Sequence, residues 1–182
     1  MKAHKVGPLA LLTATTGFLV GVVLLNGGSS NAIGGLCNGA PASHTWLDAS
    51  GQYGPALIDG TDKDDDIIGS DGDDVIDAGD GDDVVCGAAG DDDIFGGDGG
   101  DVIRGDTGDD DVDGGPGVDT VGGDGGNDTV AGGEDYDIIR GGPGDDVIIA
   151  ADDLISDDVW AGQDFDVCFF TGGDDIHAEC EY

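Results

Sequence analysis

Basic residues are almost absent from this 182-residue chain: five Lys plus Arg stand against 41 Asp plus Glu, giving a formal charge of −36. Two of the five, Lys2 and Lys5, fall in the N-terminal leader. Nucleic acid and anionic membrane surfaces both require a basic footprint, so neither is expected as a partner. Histidine is equally scarce, with His4 in the leader and His44 and His177 toward the two ends. No His-Glu-x-x-His, no Gly-x-Ser-x-Gly and no phosphate-cradling loop occurs. The Gly-rich turns are no substitute, because each is crowded with Asp that would repel a phosphate. Ser43, His44 and Asp48 are close in sequence, but such proximity seldom builds a catalytic triad and loop composition explains them. Pairs such as Asp73/Asp74 fit cation ligation more simply than glycosidase chemistry. The four cysteines show no Cys-x-x-Cys spacing, which weakens a thiolate metal site. The chain reads as a non-enzyme.

What is present is a period. Ten consecutive nine-residue units run from Gly60 to Ile149 without insertion or deletion. The sixth position is always Asp: Asp65, Asp74, Asp83, Asp92, Asp101, Asp110, Asp119, Asp128, Asp137 and Asp146. The eighth is always Ile or Val, from Ile67 and Ile76 through to Ile139 and Ile148. Gly fills the first position in nine of ten units (Ala78 excepted) and the fourth in eight, with Lys63 and Asp135 as exceptions. A tight turn that aims carbonyls inward needs positive φ or close backbone approach there. Each turn is followed by three residues that can form a short strand, with the eighth side chain pointing opposite to its neighbours. Two units then make one 18-residue coil, and aliphatic side chains from both strands meet inside. The fold class expected is all-β, a parallel β-roll or β-solenoid of tandem nine-residue repeats with irregular caps.

Units such as GGDGGDVIR (96–104), GDGGNDTVA (123–131) and GGPGDDVII (141–149) resemble the RTX, or haemolysin-type, calcium-binding nonapeptide GGxGxDxUx. The likeness covers about half of the chain. It implies a β-roll with calcium between turns of successive coils, held by backbone carbonyls and the sixth-position Asp. Carried over by position, the ligands are the ten Asp residues from Asp65 to Asp146. The chemistry agrees, since calcium takes six to eight hard oxygens, which carboxylates and turn carbonyls supply. Five units per edge allow up to about eight ions. These would cancel about 16 negative charges, so calcium changes the sign of the folding balance. Poor occupancy is expected beside the first unit, with Thr61 and Lys63, and the ninth, with Asp135.

Two other readings of the block fail. A disordered acidic tract predicts no phase for the aliphatic residues, whereas all ten units keep it; disorder suits only the calcium-free state. An EF-hand at 62–73 needs Gly at its sixth place, where Ile67 stands, and flanking helices that Gly/Asp sequence does not form.

Outside the repeats, residues 1–32 read as a signal peptide. Lys2 and Lys5 precede an apolar run from Leu9 to Leu25, and Ser30-Asn31-Ala32 is an acceptable cleavage site. The run approaches the length of a membrane span, so an uncleaved anchor is the alternative. Residues 33–59, with Trp46, Tyr53, Leu57 and Ile58, are expected to cap the first coil, since an open solenoid exposes its ends. Residues 150–182 hold a degenerate repeat that needs two extra residues near Leu154–Trp160, then keeps Asp166 at the sixth place and Cys168 at the eighth. Trp160, Phe165, Phe169 and Phe170 are expected to cluster there as a C-terminal cap. Four cysteines in an exported chain suggest two disulfides; sequence leaves the pairing open, though neighbourhoods favour Cys168 with Cys180 and Cys37 with Cys86. Asn127-Asp128-Thr129 matches a glycosylation sequon, but it lies within a cation turn.

Alternation also separates two outer faces. One carries Val84, Val102, Thr120 and Ile138 beside Arg104, Arg140 and Cys86; the other carries Asp77, Asp93, Asp111 and Asp113. The expected protein is therefore secreted, extracellular and calcium-binding. The alternative is a calcium-rigidified adhesion or structural module of the cell surface or matrix. It would meet a protein or cell-wall partner through the Val84/Val102/Thr120/Ile138 face.

Overall fold

The computed structural model describes residues 57–150 and 155–170, together with strand positions 22–24, 175–176 and 180–181. Apart from Val22–Leu24, the expected leader lies outside the described residues, as do most of the expected N-terminal cap, Cys37, His44 and His177. Strands are numbered in chain order and, from β2 onward, alternate between two sheets. The first sheet contains β1 (Val22–Leu24), β2 (Leu57–Thr61), β4 (Val75–Asp80), β6 (Asp93–Asp98), β8 (Asp111–Pro116), β10 (Thr129–Glu134), β12 (Val147–Ala150), β14 (Asp166–Phe170) and β16 (Cys180–Glu181). The second contains β3 (Asp66–Ile68), β5 (Val84–Ala89), β7 (Val102–Thr107), β9 (Thr120–Gly125), β11 (Ile138–Pro143), β13 (Asp158–Gln163) and β15 (Asp175–Ile176).

Every neighbouring pair is parallel, and within the repeat block the register is the sequence period itself. Val84 pairs with Val102 and Val102 with Thr120, each 18 residues on. From β2 onward consecutive strands lie in opposite sheets, so the chain winds as a parallel β-solenoid of about six turns. Neighbouring coils thus present like to like, and the same turn chemistry recurs at each edge.

The eighth positions build the core. Ile67, Val85, Ile103, Val121, Ile139 and Val159 from the second sheet face Ile76, Ile94, Val112, Val130 and Ile148 from the first; none is more than 1 % exposed. The side chains on either side of each eighth residue point outward, which is the period-two alternation of a strand. Burial of one such aliphatic side chain is worth about 1.5–3 kcal/mol, and the column repeats it in every strand. β-Branched residues suit this place because they lose little freedom on a pleated surface.

The register lengthens once. Ile138 pairs with Asp158 and Val147 with Val167, each 20 residues on rather than 18. The two extra residues expected from the sequence are absorbed between β12 and β13, and the columns resume with Val159 and Cys168 inside. Cys168 and Cys180 form a disulfide with Cα atoms 5.6 Å apart. Cys86 is also disulfide-bonded and, although it occupies an outward position, is only 2 % exposed.

Two surface expectations need correction. Trp160 and Phe169 stand on the outer sides of opposite sheets, and Phe165 lies in the turn before β14, so the C-terminal aromatics do not gather in one cap. Phe165 and Phe169 are more than half exposed; only Phe170, with Cys180, packs on the core. The two-strand coil decides this, because it puts successive units, and so successive ninth positions, on opposite sides of the roll. The acidic face is likewise interrupted, since Phe95 sits between Asp77 and Asp113 in one column and is 48 % exposed.

Candidate metal centres

The turns joining the sheets form two edges. One carries Asp65, Asp83, Asp101, Asp119 and Asp137, and the other Asp74, Asp92, Asp110, Asp128 and Asp146. The ten ligand candidates are thus brought together as two ladders of five, all buried. Along each ladder, one carboxylate oxygen is committed to the neighbouring coil. The amide of Asp65 donates to Oδ1 of Asp83, that of Asp83 to Asp101, and so on to Asp119 and Asp137, at 2.7–2.8 Å. On the other edge the amides of Asp74, Asp92, Asp110 and Asp128 donate to the Asp 18 residues ahead, at 2.7–2.9 Å.

The ladders extend past the last regular unit. Asp137 donates to Asp157 and Asp146 to Asp166, at 2.9 and 3.0 Å. The sequence reading reaches Asp166 only as a retained sixth position and does not reach Asp157. The signal for Asp157 was present, since it stands two residues before Val159, but the two-residue insertion hid the phase.

The other oxygen is left bare. Oδ2 of Asp83, Asp92, Asp101, Asp110, Asp119, Asp128, Asp146 and Asp166 is buried and receives no hydrogen bond. A buried acceptor without a donor is costly, and a carboxylate oxygen more so. Without a cation, burial pushes the carboxyls upward from 3.8: Asp83 and Asp92 to about 7, and Asp110, Asp119, Asp128 and Asp146 to about 6. Desolvation is the largest cause in each case. The amide hydrogen bond at Oδ1 opposes it, and neighbouring Asp charges add to it. Asp101 is raised for the same leading reason.

The glycines fit around these oxygens in two different ways. At the first position the reason is space: a Cβ on Gly96 would lie 2.6 Å from Asp101 Oδ2 and would collide with the Gly114 carbonyl. At the second and fourth positions the reason is backbone conformation. From Gly79 and Gly81 onward both take positive φ in every regular turn, including non-glycines such as Ala88, Asp106, Asp124 and Asp135. The sequence points to positive φ at the first and fourth positions; in the structure it falls at the second and fourth. Asp135, at φ 80°, keeps the ninth turn in the shape its glycine counterparts have. Asp is among the few L-residues that tolerate this region.

Two features distinguish the edges. The guanidinium of Arg104 bridges Asp106 and Asp124, which are the second residues of successive turns. On that same edge the fifth positions form an outer ladder: amides of Asp91, Asp109, Asn127 and Asp145 donate to the Asp or Asn side chain one coil back, at 2.8–3.1 Å. Asn127, the sequon residue, is thereby engaged on both sides. The opposite edge begins such a ladder at Asp64 and Asp82 but loses it where Gly100, Val118 and Tyr136 follow.

Bare buried carboxylate oxygens, beside tight turns rich in glycine, suit a hard cation. Among the described residues, no three His, Cys, Asp or Glu side chains converge on one point. An ion here would therefore rely on turn carbonyls beside the Asp oxygens, a donor set of oxygen alone, as calcium prefers. Fold and site together define a cation-binding β-solenoid. The chain belongs to the RTX calcium-binding nonapeptide repeat family, whose model matches residues 59–94, 87–121 and 122–153, together a little over half of the chain. No curated protein and no solved structure matches it.

Proposed function

We propose that this is an exported calcium-binding protein whose repeats are disordered without calcium and close into the roll on binding several ions outside the cell. The observation that carries the reading is the row of buried Oδ2 atoms without donors. At neutral pH an ionised ladder of this kind opposes its own folding, and a divalent ion between coils removes the penalty. The ten Asp residues from Asp65 to Asp146 are the ligand candidates, and up to about eight ions is the expected load. Affinities of roughly 10⁻⁴–10⁻³ M, usual for extracellular calcium modules, would leave the chain unfolded inside the cell and fold it after export. The leader-like composition of residues 1–32 supports the export part of this reading.

A calcium titration followed by far-UV circular dichroism tests it, with magnesium as control. A cooperative coil-to-β transition is expected at submillimolar to millimolar calcium and not with magnesium. A β-rich chain in chelator at neutral pH, or no response to calcium, would overturn the reading.

A second reading, adhesion through the second sheet, is favoured by one observation. Val84, Val102, Thr120 and Ile138 form an unbroken outward column, with Val102 44 % exposed in a chain of charge −36. The double variant Val102→Lys/Ile138→Lys should still bind calcium but lose calcium-dependent self-association or cell-wall binding. A wild-type protein that stays monomeric in calcium and binds no cell wall would remove this second reading.

A further inference from the structure

The first two turns of the repeat block differ from the later ones in what meets the sixth-position carboxylate. In turn 61–65 the amide and the hydroxyl of Thr61 both donate to Asp65 Oδ2, each at 2.8 Å. In turn 70–74 the Ser70 amide donates to Asp74 Oδ2 at 2.5 Å and its hydroxyl to Asp74 Oδ1 at 2.9 Å. Both carboxylates are therefore supplied with donors from their own turn, where Asp83, Asp92, Asp101 and Asp110 have a bare oxygen.

The backbone departs at the same places. Thr61, Lys63, Ser70 and Gly72 do not take the positive φ that the second and fourth positions adopt from Gly79 and Gly81 onward. The sequence supplies the cause. Thr61 and Ser70 are hydroxyl residues at the second position, where the later regular turns have Gly, Ala or Asp. A Ser or Thr there can turn its amide and its hydroxyl onto a carboxylate four residues ahead, which is the local chemistry these residues use at helix caps and turns. A cation approaching Oδ2 would have to displace these donors and leave them unsatisfied in a partly buried site.

We propose that turns 61–65 and 70–74 are closed by these hydroxyl and amide contacts in place of a cation. Asp65 and Asp74 then give no oxygen to calcium, and the bound ions begin with the turns of the next coil. This rests on the calcium reading above and narrows it to particular turns. The first coil is a metal-independent end on which the calcium-dependent coils stack.

Ion counting on the full chain at saturating calcium, by equilibrium dialysis and elemental analysis, tests the assignment. Asp74→Asn is expected to bind the wild-type number of ions, whereas Asp110→Asn, on the same edge, loses at least one. Ser70→Gly turns unit 69–77 into a full match to the nonapeptide and is expected to gain one ion. Loss of an ion in Asp74→Asn, or no gain in Ser70→Gly, overturns the proposal. A wild-type chain that binds no calcium would instead remove the reading on which it rests.

Discussion

In chelator, the chain is expected to gain β-structure as the pH is lowered from about 7.5 to about 5, and to lose it on return to neutrality. Burial raises Asp83 and Asp92 to about 7 and Asp110, Asp119, Asp128 and Asp146 to about 6, from 3.8. A raised value means that the metal-free roll holds these protons more tightly than the unfolded chain does. The stabilisation this brings is complete below about pH 4 and is lost as the pH rises through about 6 to 7. At about pH 5 the ladder is mostly protonated in the roll, while an unfolded Asp is still ionised, so protons favour folding. With saturating calcium the sign reverses, because the ion holds the carboxylates in their charged form and protons compete with it. Far-UV circular dichroism at the two pH values, with and without calcium, reads both branches. A metal-free chain equally unfolded at both values would contradict the burial of the ladder.

The second large effect concerns space around one ladder oxygen. Gly105→Ala would bring a methyl group into collision with Asp110 Oδ2 and place it 2.8 Å from the Gly123 carbonyl. Its backbone is not in the left-handed region, so the cost comes from overpacking alone. Overpacking of about 1–3 kcal/mol, spread over about eight ions bound in one transition, would raise the calcium concentration at half-folding by about 1.2- to 2-fold. Gly100→Ala is the matched control: its methyl would meet nothing closer than 3.4 Å, at the Val118 carbonyl. Equal calcium midpoints for the two variants would mean that the turn around Asp110 is not where the ion is held.

Much of the roll was legible because a strict repeat turns distant contacts into local pattern. Once nine residues recur without a gap, the partner of Val84 must lie 18 residues on, and the inward column of eighth positions follows from alternation. The two edges and the two outer faces follow from the same count. Where the repeat is broken, legibility ends: Asp157 was missed because two inserted residues precede it. The aromatics beyond Ile149 read from sequence as one cap because, without a period, nothing there tells which sheet each joins.

The sequence by itself therefore determined the coil length, the core columns and the two rows of Asp, since these depend only on spacing and on which side of a strand a residue falls. Tertiary structure alone decided the state of each carboxylate oxygen. Whether Oδ1 is held by an amide 18 residues back, and whether Oδ2 is bare or met by Thr61 or Ser70, depends on how one turn sits against the next. Those contacts are set by distances and backbone angles that arise only when the coils are stacked.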